Sequence, residues 1–532
     1  MTEQDEYGRL PVIPLGHAGT RTFFYFVLST RQVVALKPTA HTRPNLIALA
    51  EEEDWSRSSM VRIARGGIDW DGLAEFLMAR CRKKGIYDPT RIRGRGAWRD
   101  GDDIVYHSGD TLFVNGRETP FEDYRETKYR YLACTPTLRP DKPGAPPADI
   151  DDLLATIETW GWQHSDLAPK IVVGWLACAL VCGALRWRPH LWITGPKESG
   201  KSTLDTLVTN ILGDLVLHVQ GGTTEPGLRQ ALNGDALPVA FDEFEGNNPG
   251  AQKVIDAARS AASDNFAPII KGTPEGRPLM YQLRFMGMFS GVVANVERAA
   301  DESRFVFLEL RCRKRDEAQR ARLDDALRHF NPQFGSKLLR QMLDALASGT
   351  FDQNLSVLRT AIRLVGGDER KADVFAHLLA GFHSSRSDTP ITEPEAKDLV
   401  ALLKSLDETG PSDEEACAGH LLGFTIRLDF DQPRTVAEWL HALRDGDINT
   451  RTADLVRAEL ARHGILREGE VVVVANQVPG IVRIYHGSPW ASGGHWRMMR
   501  RLEGARAAGN RRFAGLQSKA TAIPWATLMP DE

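Results

Sequence analysis

Residues Gly195 to Thr203 read G-P-K-E-S-G-K-S-T, and what these types at this spacing can do is cradle phosphate groups. Gly195 and Gly200 let backbone N–H groups face an anion, Lys201 reaches the terminal phosphates, and Ser202 can ligate magnesium. Pro196, Lys197, Glu198, Ser199 and Thr203 complete the loop. A nucleoside triphosphate is the expected ligand, with ATP and Mg2+ as cofactors. Such a loop needs acidic partners. Asp242-Glu243 follows a short apolar run, and an acidic pair at a strand tip can hold the metal through Asp242 and orient and deprotonate the attacking water through Glu243. Asn295, at the end of another apolar run, supplies an amide that can hydrogen-bond that water or the terminal phosphate.

Placing these groups together requires strands that end in them. The apolar run Leu191 to Thr194 predicts a strand before the phosphate loop, and Leu204 to Leu212 a helix after it, the context in which the motif has meaning. Leu237 to Phe241 predicts the strand carrying Asp242-Glu243, and Phe289 to Ala294 the strand leading to Asn295. The expected fold class is α/β, a P-loop NTPase core with flanking domains.

The chain has 532 residues, a length for several domains. Its 66 basic and 70 acidic side chains leave a net charge of −4, so any nucleic-acid surface must be local. Six cysteines without paired zinc spacing read as buried thiols of a reducing cytoplasm, the expected location. Met1 to Leu10 is polar and acidic, unlike a signal peptide. The apolar run Ile171 to Leu185 is short for a bilayer span and reads as a buried core helix. The fourteen histidines show no metal-ligand spacing.

Composition divides the chain. Residues 1–134 mix strand-like alternation (Phe23 to Leu36, Ile104 to Val114) with a helix-like stretch from Trp70 to Cys81, and Asn115-Gly116 signals a hairpin. The proline-rich stretch 135–148 reads as an extended linker. Residues 149–190 read as a helical collar of two helices broken near Pro169, 191–315 as the nucleotide-binding core, and 316–410 as helical. In 411–532, helices at Val436 to Leu443 and Ala453 to His463 precede strand-like runs at Val471 to Ala475 and Ile481 to Tyr485, the order of a winged-helix module.

With these motifs in order, the chain resembles the superfamily 3 helicases, the AAA+ ring motors of viruses, phages and plasmids, whose core motifs fall within a span like Gly195 to Asn295. The resemblance implies an ATP-driven DNA helicase working as a homo-oligomeric, hexameric ring on single-stranded and forked DNA, without a membrane. It implies a DNA-gripping hairpin between the second and third motifs, and Pro268 to Phe285 fits, with Lys271 and Arg277 as DNA contacts. It also implies an arginine finger donated to the neighbouring subunit's nucleotide. In D-E-S-R-F-V-F-L (Asp301 to Leu308) that residue is Arg304, with Arg298 second. More narrowly, the run R-G-R-G-A-W (Arg93 to Trp98), Val105 to Gly116 after it, and tail segments Ser488 to Trp490, Arg512-Phe513 and Ala522 to Pro524 are similar to the helicase portion of phage and prophage primase-helicases. Residues 1–134 hold no zinc-binding cysteine cluster and no convincing polymerase carboxylate set, so primase activity is not expected of this chain and a separate primase stays open as a partner.

Two basic concentrations read either as nucleic-acid contacts or as solvated faces and subunit contacts. One spans Arg80 to Arg99. The other is the tail from Arg483 to Lys519, including Arg500 and Arg501, where Trp490, Trp496 and Phe513 are interleaved with arginines as stacked bases prefer. Two alternatives to a helicase stay open: a replication initiator or helicase loader switched by ATP with little unwinding, and an ATPase that remodels proteins.

Overall fold

The computed structural model describes residues 10–19, 21–64, 67–124, 127–232, 234–244, 249–264, 269–272, 278–291, 303–313, 315–403, 413–428, 433–488, 490–491 and 494–529. The chain forms two compact units, Met1–Val296 with Ala300–Ser405, and Leu406–Glu532 with Glu297–Ala299.

At the centre of the first unit is a mixed α/β layer built on a parallel sheet. Its strands are β1 (His190–Thr194), β2 (Leu217–Gln220), β3 (Pro238–Asp242), β4 (Met286–Gly291) and β5 (Phe305–Glu309), lying side by side as β2-β3-β4-β1-β5. All four pairings are parallel. The crossovers carry helices α1 (Lys201–Leu212), α2 (Glu225–Leu232) and α3 (Pro249–Ala261). Strands covered on both faces read as near-continuous apolar runs, which is why these segments stand out in the sequence. Cross-strand aromatic pairs knit the middle: Phe241 stacks on Phe289 at 4.1 Å, and Phe289 on Trp192 at 5.2 Å.

The apolar run after Pro169 forms helix Ala168–Leu180 and the short turn Cys182–Ala184, buried almost throughout. Gly174 and Gly381 let it lie directly on helix Glu369–Arg386, since a Cβ on Gly174 would sit 2.0 Å from the Leu378 carbonyl oxygen. Among the described residues, no helix is long and apolar enough to cross a membrane. The expected helical region holds helices Glu317–His329, Pro332–Ala347, Thr350–Leu364, Glu369–Arg386 and Glu393–Ala401.

Ahead of this core, strands Val12–Ala18, Thr22–Val27 and Gln32–Leu36 form an antiparallel sheet against helix Trp70–Lys84. A second antiparallel sheet runs from Gly96–Asp100 through Asp103–His107 and Leu112–Val114 to Arg117–Thr119. Its last turn is the expected Asn115-Gly116, both at positive φ (48° and 75°), as a two-residue hairpin turn demands. The proline-rich stretch is extended, but it is strapped along helix Pro332–Ala347 rather than free: Asp141 and Ala145 donate backbone N–H bonds to the Ser336 and Lys337 carbonyls, both 3.1 Å.

The second unit has helices Asp413–Leu422, Val436–Asp445 and Thr450–Arg462, followed by an antiparallel sheet ordered Ile465–Glu468, Val471–Ala475, Leu516–Pro524, Arg506–Phe513. Thr435 and Asn449 cap the second and third helices. Helix, helix and hairpin therefore occur in the expected order, with one correction. Ile481 to Tyr485 is not the second hairpin strand; Pro479–Ile484 is a helix. Pro479 presets the first helical turn, and Gly480 allows a close approach to the Arg462 carbonyl oxygen, 2.1 Å from a would-be Cβ. The partner of Val471–Ala475 in the hairpin is Ile465–Glu468.

Candidate nucleotide site and nucleic-acid surfaces

The phosphate loop leaves the C-terminal end of β1 and closes onto α1. Gly200, at φ 90° and ψ 16°, caps the helix, and this left-handed conformation leaves the helix's first N–H groups facing outward. Gly195 is at φ 154°, where a Cβ would lie 2.5 Å from the Leu310 carbonyl oxygen. Glu198 is also left-handed, at φ 66°. The Lys201 ammonium folds back over the loop and donates to the carbonyls of Gly195 (2.5 Å) and Pro196 (3.0 Å); burial lowers its pKa below the ordinary lysine value. The Ser199 Oγ is buried with no hydrogen-bond partner. An orphaned hydroxyl, a desolvated ammonium and a helix N-terminus at one loop fit a polyphosphate.

The acidic pair sits where β3 ends. Asp242 and Glu243 are exposed, and Glu243 is held at φ 49°, a conformation costing on the order of 1–3 kcal/mol that clusters at functional sites. Neighbours enforce it: Phe244 donates its N–H to the Ser290 carbonyl of β4 at 2.8 Å, and Gly221 beyond β2 admits the Glu243 carbonyl 2.2 Å from where a Cβ would be. The link to α1 is electrostatic. Burial, and after it the charge of Asp242, lift the Asp205 carboxyl to about 6, with His218 partly offsetting them. Asp205 lies one turn past Lys201, so the acidic tip faces the first turns of α1. Ser202 and Asp242 are the residues that would hold Mg2+; among the described residues no group of three or more His, Cys, Asp or Glu side chains forms a protein-only metal site.

A wall of the loop went unread in the sequence. Trp160 is buried and donates its Nε1–H to the Gly200 carbonyl at 3.0 Å. The Arg315 guanidinium lies 4.7 Å from the Trp160 ring centroid, and the exposed Cys312 thiol contacts the Lys197 carbonyl at 3.4 Å. The basic run after β5, R-C-R-K-R from Arg311 to Arg315, was the available signal; Trp160 carries none, because only the fold brings it to the loop.

Arg304 precedes β5, and β5 is parallel to β1 with His190 opposite Phe305 and Thr194 opposite Glu309. It therefore sits at the end of the sheet away from its own phosphate loop. Its side chain is buried, with the guanidinium 5.9 Å from the Trp187 ring centroid. Asn295, Arg298 and Arg277 lie outside the described residues. Lys271 falls on strand Ile269–Gly272, paired antiparallel with Pro278–Tyr281 opposite Leu279, so a hairpin stands in the expected place. In the second unit, Arg500 stacks on Trp496 at 4.8 Å, and Arg501 pairs with Glu414 at 3.4 Å.

The basic concentration from Arg80 to Arg99 divides. Arg93 is buried, beside Asp100 at 3.8 Å and hydrogen-bonded to Tyr131. Arg95 binds Asp235 through its backbone N–H and guanidinium (2.6, 2.9 and 2.6 Å). Arg99 reaches Asp352. Gly94 and Gly96 are small because Cβ atoms there would lie 2.0 Å from Asp235 and 2.1 Å from the Ala236 carbonyl oxygen. The R-G-R-G-A-W run is thus a structural seam to the central sheet, and these three arginines are not free for DNA.

No protein-family model and no curated protein matches the chain. Among solved structures it is similar to the A form apo structure of the NrS-1 C-terminal region (305–718), with 11% identity, a TM-score of 0.35 and 96% of each chain covered. For another A form apo structure of that region the values are 12% and 0.34, covering 97% of this chain and 96% of that one. Likeness at that level carries no functional argument.

Proposed function

We propose that this chain is an ATP-hydrolysing DNA motor of the superfamily 3, AAA+ kind, working as a hexameric ring on single-stranded and forked DNA. The observation that carries the reading is the strand order. The phosphate loop ends β1, the Asp242-Glu243 pair ends β3, and β4, leading toward Asn295, lies between them. Ligands of open α/β sheets bind at this carboxyl end. Lys201 and the loop amides would hold the terminal phosphates, Ser202 and Asp242 the Mg2+ that screens them, and Glu243 would take the proton of the attacking water, with Asn295 orienting it.

The ring accounts for Arg304. β5 separates this residue from its own loop by five strand residues, about 16 Å at strand rise, so its service is to a neighbouring subunit once it swings off Trp187. The hairpin between α3 and β4 would grip a strand, and the helix pair and hairpins of the second unit suit a winged-helix contact to duplex DNA. That second unit also favours the alternative of an ATP-switched initiator or loader; a separate primase fits either.

The test begins with Cys312, the one exposed cysteine of the six. ATP with Mg2+ should slow its maleimide labelling at least tenfold in the wild type and not in Lys201→Ala. Displacement of a labelled strand from forked DNA by wild type, but not by Glu243→Gln, is then expected. Protected Cys312 with hydrolysis but no displacement would move the assignment to the initiator or loader.

A further inference from the structure

A second concave site lies in the first unit and shares no residue with the phosphate loop. It is a cleft of about 320 Å³ lined by Lys84, Arg91, Lys128 and Arg130, with Asp88 the one carboxylate among the described lining residues. Asp88 pairs with Arg91 at 3.4 Å. The Lys128 ammonium lies 5.0 Å from the Tyr129 ring centroid, and Arg130 donates to the carbonyls of Thr127 and Tyr129. Tyr87 gives a fixed wall, its ring stacked 4.0 Å over Phe24 at 15°, and Ile86 is 83% exposed at the rim.

Two features point to the ligand. Cations gathered in a concavity with aromatic and apolar walls suit a phosphate joined to a base, and a cleft at the small end of ligand pockets admits about one nucleotide unit, not a duplex. The turn Pro89–Arg91, which supplies Arg91, also packs against strand Pro278–Tyr281 of the hairpin. A strand lying in the cleft would continue onto that hairpin. The cations that sequence alone grouped from Arg80 to Arg99 are therefore sorted by the fold: Arg93, Arg95 and Arg99 close a seam, whereas Lys84 and Arg91 join Lys128 and Arg130 from forty residues later.

We infer that this cleft binds the phosphodiester backbone of single-stranded DNA and feeds it to the hairpin. The inference rests on the motor reading for the choice of DNA. It is tested by anisotropy of a labelled oligothymidylate without nucleotide, over a range of KCl, for wild type and the Arg91→Glu, Lys128→Glu double variant. Affinity should fall at least tenfold, and the salt slope should become shallower by about 1.4, roughly 0.7 for each lost phosphate contact. An unchanged melting temperature shows that the fold is intact, and Arg91→Gln with Lys128→Gln replaces the reversal if it is not. Wild-type affinity and slope in a folded variant overturn the inference. Lys201→Ala should bind the oligonucleotide as wild type does even if the chain proves to be no motor; loss of binding in that variant would place the DNA contact at the motor and not in the cleft. Binding of thymidine monophosphate to Lys201→Ala that is lost with the cleft cations, while oligonucleotide binding persists, would give the same phosphate chemistry to a free nucleotide and overturn the strand.

Discussion

The two ends of the central sheet use the same residue types to opposite effect. At the amino ends of the strands, charged and ring groups find protein partners. Arg188, fully buried, donates to the carbonyls of Ala261 and Leu185 and to Asp264, which also takes Arg284; Arg95 closes on Asp235; and both nitrogens of His190 are bonded. At the carboxyl ends, Lys201 has carbonyls in place of a carboxylate, Ser199 has no partner, and Glu198 and Glu243 hold left-handed backbones. One end is closed by ion pairs and hydrogen bonds, with the buried Trp187 Nε1 as an exception; the other holds an unbonded hydroxyl and left-handed backbones. Residue type does not distinguish a site from a seam, but pairing does.

The largest effect should come from the open end. Glu243→Gln keeps shape and removes the proposed base, so on that reading hydrolysis measured by phosphate release should fall by about 10² to 10⁴, with Cys312 still protected by ATP and the melting temperature unchanged. A loss of stability in place of turnover would show that the open end is structural after all. Next comes the closed end. Burial raises the Asp235 carboxyl above its ordinary value despite the Arg95 hydrogen bonds and charge that lower it, so the pair is no large net gain, yet breaking it strands a guanidinium. Asp235→Ala should cost about 3–5 kcal/mol in denaturant unfolding, and Arg95→Met with Asp235→Leu should regain most of that. Equal instability of the single and double variants would contradict a seam held by charge pairing.

Much of the open end was legible because each of its parts is a local pattern: a nine-residue loop after an apolar strand, and an acidic pair after another. The strand and helix expectations there differ from the structure by a few residues at their ends. What escaped was whatever depends on distant chain. Trp160 and Arg315 reach Gly200 from segments far apart in sequence, and Asp205 was passed over because one carboxylate on a helix announces nothing until Asp242 faces it. The arginines at 93, 95 and 99 looked like a nucleic-acid patch because their partners, Tyr131, Asp235 and Asp352, are remote. Ile481 to Tyr485 has strand-like composition, and Pro479 with Gly480 outweighed it.

The smallest effect sharpens the closed end at a single proton. The Gly287 N–H donates to His190 Nδ1 at 2.9 Å, so Nε2 carries the proton and donates to the Ala258 carbonyl at 2.7 Å. A second proton on the ring would break the first bond inside a shell of Phe285, Phe289 and Phe305, and burial accordingly lowers the His190 pKa to about 3. The folded state then refuses a proton that the unfolded chain accepts below about 6.5. The stability this histidine contributes is complete above 6.5, falls as pH drops toward 3, and is down by about 1.4 kcal/mol at pH 5.5. Glutamine offers an acceptor and a donor and does not titrate, while His107 and His377 are common to both proteins and cancel in the difference. His190→Gln should therefore be less stable than wild type at pH 7.5 by an amount that shrinks by about 1.4 kcal/mol at pH 5.5 in urea unfolding. A gap that stays constant with pH would mean that the ring is protonated in the fold at pH 5.5 and that the closed end holds a second unmet polar group beside Trp187 Nε1.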